Sequence, residues 1–370
     1  MGNYSEFTVA LLKEIFQNVN CYHPNNTDED RFGKTPLKLR LKSIIKDILL
    51  NRIPYISSYR RQFTYNDIFN DNLEKLACLY HQLKDPFSRE QLLKIISYRF
   101  LGPERVKLPL NTPEYWNERK KLAKLIKKKG TINPVGCIFN LAYFDLSSIN
   151  YPINLYCSTI GVHLTFVHKQ YEYCISDAVI KAENGDVVID AGGCYGDTAL
   201  YFADEVGATG KVYTFECIPS SIEIMKKNLA LNETHQKRIE IVPYALWDSS
   251  GQTLYCKDAG PGSRVGFERQ AVDDFAVQTL CIDDFADKYN VTKIDFIKMD
   301  IEGAELPALK GAVKVLRKYK PKLAIAIYHR FSDFTDIFEF ISSLNLGYEF
   351  YLRHCTVYGE ETMLYAISKP

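Results

Sequence analysis

The chain has 370 residues, 46% of them hydrophobic and 25% charged, an ordinary globular balance with material for roughly two to three domains. Forty-six basic residues against 45 acidic ones leave a net charge of +1, which excludes a global field drawing the protein onto nucleic acid or an anionic membrane. No apolar run reaches the roughly 18 residues of a membrane span, "MGNYSEFTVALLKEIF" lacks a signal-peptide pattern, and the ten cysteines contain no CxxC pair, so a cytoplasmic chain with reduced thiols and no structural zinc is expected.

Residues 1–105 read as a helical N-terminal region, because "KTPLKLRLKSIIKDILL", "NDNLEKLACLYHQLK" and "SREQLLKIISYRF" repeat apolar residues three and four apart. Ser88 with Gln91 predicts a capping box for the third helix. Residues 34–61 hold eight basic residues against one acid, a helix with a solvated basic face or a contact for a membrane surface. Residues 106–175 form a mixed connecting, substrate-side segment: a lysine-rich helix "PEYWNERKKLAKLIKKKG", then short aromatic and β-branched runs such as "INLYC" and "HLTFVHKQYEY".

From residue 176 to 370 the texture changes. Strand-length apolar runs ("VVIDAGG", "KVYTFE", "IEIVPYAL", "IDFIKMD", "KLAIAIYH") alternate with amphipathic helices ("DTALYFADEV", "PSSIEIMKKNLALN", "IDDFADKY", "AELPALKGAVKVLRKY", "FTDIFEFISSL"). That alternation predicts an α/β fold with a doubly wound, mainly parallel sheet. The last two strands, "YEFYLRH" and "MLYAIS", are joined by "CTVYGEET", too short for a parallel crossover, so the final strand is antiparallel.

"VVIDAGGCYGDTAL" is a buried strand that ends in Asp190 and turns through Gly192, Gly193 and Gly196 into a helix beginning near Asp197 and Thr198. Free N–H groups at that helix start make a nucleotide-type site. Ala191 stands where a dinucleotide fingerprint needs its first glycine, and a carboxylate at 190 repels a pyrophosphate but welcomes a cation. Glu216, ending the next strand, suits the two hydroxyls of a ribose. Each acid alone would more often cap a turn or helix; acids on two successive strand ends around a glycine turn favour a ligand. A ribose joined to a cationic amino acid describes S-adenosylmethionine.

At this point four stretches, "VVIDAGGCYGDTALYFA", "VYTFECIPSSIEIMKKNLALN", "IDFIKMDIEGAELPALKGA" and "KLAIAIYHR", together resemble the FkbM family of S-adenosylmethionine-dependent methyltransferases. The resemblance covers about residues 176–370. It implies a class I methyltransferase, Rossmann-like fold with a seven-stranded sheet, and methyl transfer to a hydroxyl of a sugar, glycan or secondary metabolite. It also suggests that Tyr171, in "HKQYEY" before the cofactor strand, covers the cofactor. Asn is frequent in the family where this chain has Cys194.

The chemistry is expected at the ends of the fourth and fifth strands. Alternation along "IDFIKMDIEGAE" places Lys298, Asp300 and, if the extension persists, Glu302 on one side. His329 ends the next strand and has the reference pKa, about 6.5, of a base that accepts a hydroxyl proton near neutrality. Asp300, Glu302 and His329 also have the donor types to hold a divalent cation, but no tight ligand spacing such as HExxH makes a metal an expected cofactor. The loop "GPGSRVGF" offers Arg264 to an acidic or sugar substrate. The expected partner is a small-molecule or glycan acceptor. Without a [DN]PPY loop or basic groove, nucleic acid is not expected. The alternatives are N-methylation of a small molecule and a non-catalytic scaffold.

Overall fold

The computed structural model describes residues 2–23, 26, 28, 72–137, 139–175 and 177–369. The first expected helix and the basic stretch 34–61 lie outside the described residues. Seven strands make the main sheet: β1 (Val187–Ala191), β2 (Lys211–Phe215), β3 (Ile239–Val242), β4 (Phe296–Met299), β5 (Lys322–Ala326), β6 (Tyr348–His354) and β7 (Thr362–Ser368). Their order is β6-β7-β5-β4-β1-β2-β3. β1 to β5 pair in parallel, while β7 runs antiparallel to both β5 and β6. This order and its one reversed strand are those of the class I methyltransferase fold.

The sheet is buried on both faces because its strands are apolar at nearly every position. Successive residues feed opposite cores: Ile189, Ile297 and Leu323 join one cluster, Val188, Phe296 and Ala324 the other. The first cluster also takes Phe7 and Leu11 of the helix Gly2–Asn18, Leu76 of Leu73–Gln82, and Leu92 and Ile95 of Pro86–Leu101. The N-terminal helices thus bury their apolar faces against the sheet side that carries Phe338 and Phe350. No described helix is long and apolar enough to cross a membrane.

Several local expectations are corrected. The helix expected from Ser88 starts at Pro86, capped by Asp85, whose Oδ1 accepts from the Ser88 amide at 2.7 Å; Ser88 lies inside it and accepts instead from the Leu352 amide. The lysine-rich helix stops at Leu122, and "IKKKGTI" becomes a strand, Ile126–Ile132, pairing antiparallel with Leu141–Asp145. Lysines on that exposed sheet edge satisfy the same pattern as a solvated helix face. "HLTFV" is a π-helix, His163–Val167, following the short helix Thr159–Val162. The helix after β4 is two, Glu305–Lys310 and Val313–Tyr319, interrupted at Gly311, where a Cβ would stand 2.3 Å from the Trp247 carbonyl oxygen.

Strand order reverses between β1 and β4, and in such sheets the crevice for ligands opens at the carboxyl ends beside that switch. All the residues singled out at strand ends therefore approach one another.

Candidate active site

A cleft of about 990 Å³ opens at these strand ends, lined among others by Tyr171, Gly192, Asp197, Thr198, Asp300, Glu302, Tyr328 and His329. A smaller hollow of about 80 Å³ adjoins it, sharing Gly192, Cys194, Pro261, Asp300 and Glu302, and is walled by Phe215, Glu216, Ile218, Tyr244, Leu246 and Val265.

The glycine turn is shaped by protein neighbours as much as by any ligand. Gly192 has φ +86°, and a Cβ there would stand 2.0 Å from the Asp300 carbonyl oxygen; on Gly193 it would stand 1.9 Å from Thr214 Oγ1. Only glycine lets the loop after β1 lie this close to β2 and to the turn after β4. Gly196, the N-cap of Asp197–Glu205, packs on Met225. Gly193 and Gly196 do not line the cleft, whereas Gly192 lines both hollows.

Glu216 is half-buried, and its two carboxylate oxygens accept from the Cys194 amide at 2.9 Å and the Ile218 amide at 2.8 Å. Burial pushes its pKa up to about 7, against the opposing pull of those amides. Each oxygen keeps a further lone pair for a ligand hydroxyl.

Asp190 departs from its expected role. It is fully buried and does not line the cleft. The register sets Lys298 and Thr214 beside it on the neighbouring strands. Its carboxylate meets Lys298 Nζ at 3.1 Å and accepts from Thr214 Oγ1 at 2.9 Å and Thr198 Oγ1 at 2.9 and 3.1 Å. With its charge answered inside the sheet, it cannot attract a cation in the cleft. Asp197, Glu216, Asp300 and Glu302 are carboxylates that do face the two hollows. Asp197 is steadied by Thr165 of the π-helix, whose Oγ1 donates at 3.0 Å.

Lys298 also leaves the reaction side. Its Nζ donates to the carbonyls of Ala191 at 3.0 Å and Gly192 at 2.7 Å, and lies 5.1 Å from the Tyr171 ring centroid. Burial opposes the charge, but Asp190 and Asp300 outweigh it and raise the ammonium pKa. Lys298 therefore positions the glycine turn rather than touching an acceptor.

Asp300, Glu302 and His329 do converge, though not by strand alternation. β4 ends at Met299, and Glu302 enters through a left-handed turn with φ +57°. His329 Nε2 lies 3.5 Å from Asp300 Oδ1 and 3.6 Å from Glu302 Oε1, and its Nδ1 lies 3.1 Å from Glu305 Oε1. Burial disfavours the charged ring, but Glu302, Glu305 and Asp300 outweigh it and raise the His329 pKa to about 11. A ring whose charged form is favoured in this way is a weaker base near neutrality than an ordinary imidazole, which argues against the expected role. Burial also raises the pKa of Asp300.

Sequence reasoning missed two residues here. Glu305, fully buried, backs His329 and accepts from the Ile301 amide at 2.8 Å; Tyr328 OH donates to Asp300 Oδ1 at 3.0 Å. Both stood next to recognised motifs, Glu305 three residues beyond Glu302 and Tyr328 just before His329. Tyr171 also lines the cleft, its OH donating to Asp300 Oδ2 at 3.2 Å. Arg264 Nε lies 3.6 Å from Glu302 Oε2 at the cleft rim.

Residues 190–350, which include Glu216, Asp300, Glu302, Glu305 and His329, match the methyltransferase FkbM domain. In sequence it is 24% identical over 170 residues to hexuronic acid methyltransferase AglP of Haloferax volcanii, covering 46% of this chain and 66% of that protein. Among solved structures, methyltransferase FkbM from Methylobacillus flagellatus KT aligns with a TM-score of 0.49 at 21% identity, covering 80% of this chain and 58% of that one. The O-methyltransferase from Bacillus cereus in complex with SAH gives a TM-score of 0.35 at 15% identity, with 60% and 86% coverage. The chain thus spans just under two thirds of the length of the Haloferax volcanii relative and 58% of the first structure's.

Proposed function

We propose that this chain transfers a methyl group from S-adenosylmethionine to a hydroxyl oxygen of a sugar, glycan or secondary metabolite. The observation that carries the reading is a pair of adjoining hollows that share Gly192, Asp300 and Glu302, with Glu216 lining the smaller and His329 the larger.

The residues fit the cofactor. Glu216 sets a carboxylate for ribose hydroxyls beside the apolar walls of Phe215, Ile218, Leu246 and Val265, which suit a nucleobase. Asp197 and Asp300 supply the negative potential that a positive ligand prefers. When bound, the cofactor supplies a methyl group on a positively charged sulfur. One carboxylate of the pair Asp300 and Glu302 would take up the single proton that the acceptor hydroxyl gives up on methylation. Holding the reacting atoms in line contributes about 7 to 11 kcal/mol and the proton acceptor about 10²- to 10⁴-fold.

The name of the Haloferax volcanii relative, a hexuronic acid methyltransferase, supports a carbohydrate acceptor. The test is incubation with methyl-labelled S-adenosylmethionine and separate pools of acidic oligosaccharides, neutral oligosaccharides, protein and RNA. The expected product is a base-stable ether on a saccharide. Base-labile label would mean a carboxylate acceptor, and label only in RNA or protein would overturn the substrate class.

A further inference from the structure

We propose that Asp300, Glu302 and His329 bind one divalent cation of the Mn²⁺ type in the cleft. His329 Nε2 lies 3.5 Å from Asp300 Oδ1 and 3.6 Å from Glu302 Oε1, and all three residues line the cleft. Ligand atoms about 2.0 to 2.2 Å from a small cation stand roughly 3 Å apart, so each carboxylate needs to approach the imidazole nitrogen by only about half an ångström. Two carboxylates with one imidazole suit a cation between the hard and borderline classes.

The imidazole itself points to a ligand. The His329 side chain is 2% exposed, yet neither ring nitrogen makes a hydrogen bond; the carboxylates stand at ion-pair distance without alignment. Leaving a buried polar atom unmatched costs about 1 to 3 kcal/mol. A cation on Nε2 would satisfy it, taking the place of a ring proton.

The surroundings are those of a ligating histidine. Glu305 forms with Asp300 and His329 a group whose ligand atoms all lie within 4.8 Å of one another; it sits on the Nδ1 side and is fully buried. A carboxylate behind the distal nitrogen orients a ligating imidazole and raises its basicity. Tyr171 and Tyr328 fix the Asp300 carboxylate with one hydroxyl each. Three carboxylates around one imidazole leave an excess of negative charge for a dication to neutralise, while Lys298 is engaged elsewhere.

On the reading above, the cation would hold the acceptor hydroxyl, leaving the second carboxylate oxygens for its proton; the metal site itself does not depend on that reading. The probe is Mn²⁺ alone, titrated into chelator-dialysed protein without cofactor and followed by the electron paramagnetic resonance of free Mn²⁺. Saturable uptake of about one ion per chain is expected, weakened at least about tenfold in Glu302→Gln and about 10- to 100-fold in Glu305→Gln. Melting curves of both variants check the fold, and Glu302 sits at the cleft surface, where a glutamine fits. No saturable uptake, or equal affinity in a folded Glu302→Gln, overturns the proposal. The methyl-transfer assay separates the two readings: Mn²⁺ uptake without transfer sinks only the function, and full transfer without Mn²⁺ uptake sinks only the metal site.

Discussion

Two buried clusters sit side by side at the carboxyl ends of the central strands, each built from a basic group among acids, and they are opposite in kind. Around Asp190 every partner is in place: Lys298, Thr198 and Thr214 answer the carboxylate, and two backbone carbonyls take up the ammonium. Around His329 the acids stand at 3.1 to 3.6 Å, both ring nitrogens lack a hydrogen bond, and the cluster opens on the cleft. A closed polar cluster holds a fold together, whereas an open one is poised to take something more. Strand register decides which is which: Asp190 has a lysine directly beside it, and Asp300 lies one position past the end of β4.

The largest effect is expected where the closed cluster is broken. Lys298→Met leaves Asp190 buried and unpaired and removes the tie to the glycine turn, so unfolding free energy should fall by about 3 to 5 kcal/mol in denaturant titration. A loss below about 1 kcal/mol would show that the ion pair is not what holds β1 to β4. Next comes Asp300→Asn, which keeps the shape of the open cluster but removes a proton acceptor. Turnover at saturating cofactor should drop by about 10²-fold or more, with little change in melting temperature. Equal damage to folding would erase the contrast between the clusters.

Much of this contrast was hidden in the sequence for a physical reason. Strands buried on both faces announce themselves as apolar runs, so β1, β2, β4 and β5 and the charged residues at their ends were legible. An acid at a strand end reads the same whether it faces a cleft or a neighbouring strand, because the Asp190–Lys298 register joins residues 108 positions apart. Glu302 reached the site through a left-handed turn that alternation does not encode. "IKKKGTI" misled because lysines suit an exposed edge strand as well as a helix.

The smallest expected effect concerns Glu216, which belongs to neither cluster and tests whether the cofactor end is tuned separately. Its pKa is raised from the ordinary 4.5 to about 7, chiefly by burial. For the unliganded fold, a raised acid contributes stability that is complete below about 4.5 and lost as pH rises through about 7. Cofactor binding should run the opposite way, because the ionised carboxylate is the better acceptor for ribose hydroxyls. Calorimetric affinity should therefore be level above pH 7 and fall by up to about tenfold by pH 6. In Glu216→Gln the affinity should be lower and independent of pH across that range. An affinity that still falls below pH 7 in Glu216→Gln would move the responsible proton to Asp300 or Asp197, and the two ends of the cleft would then titrate as one.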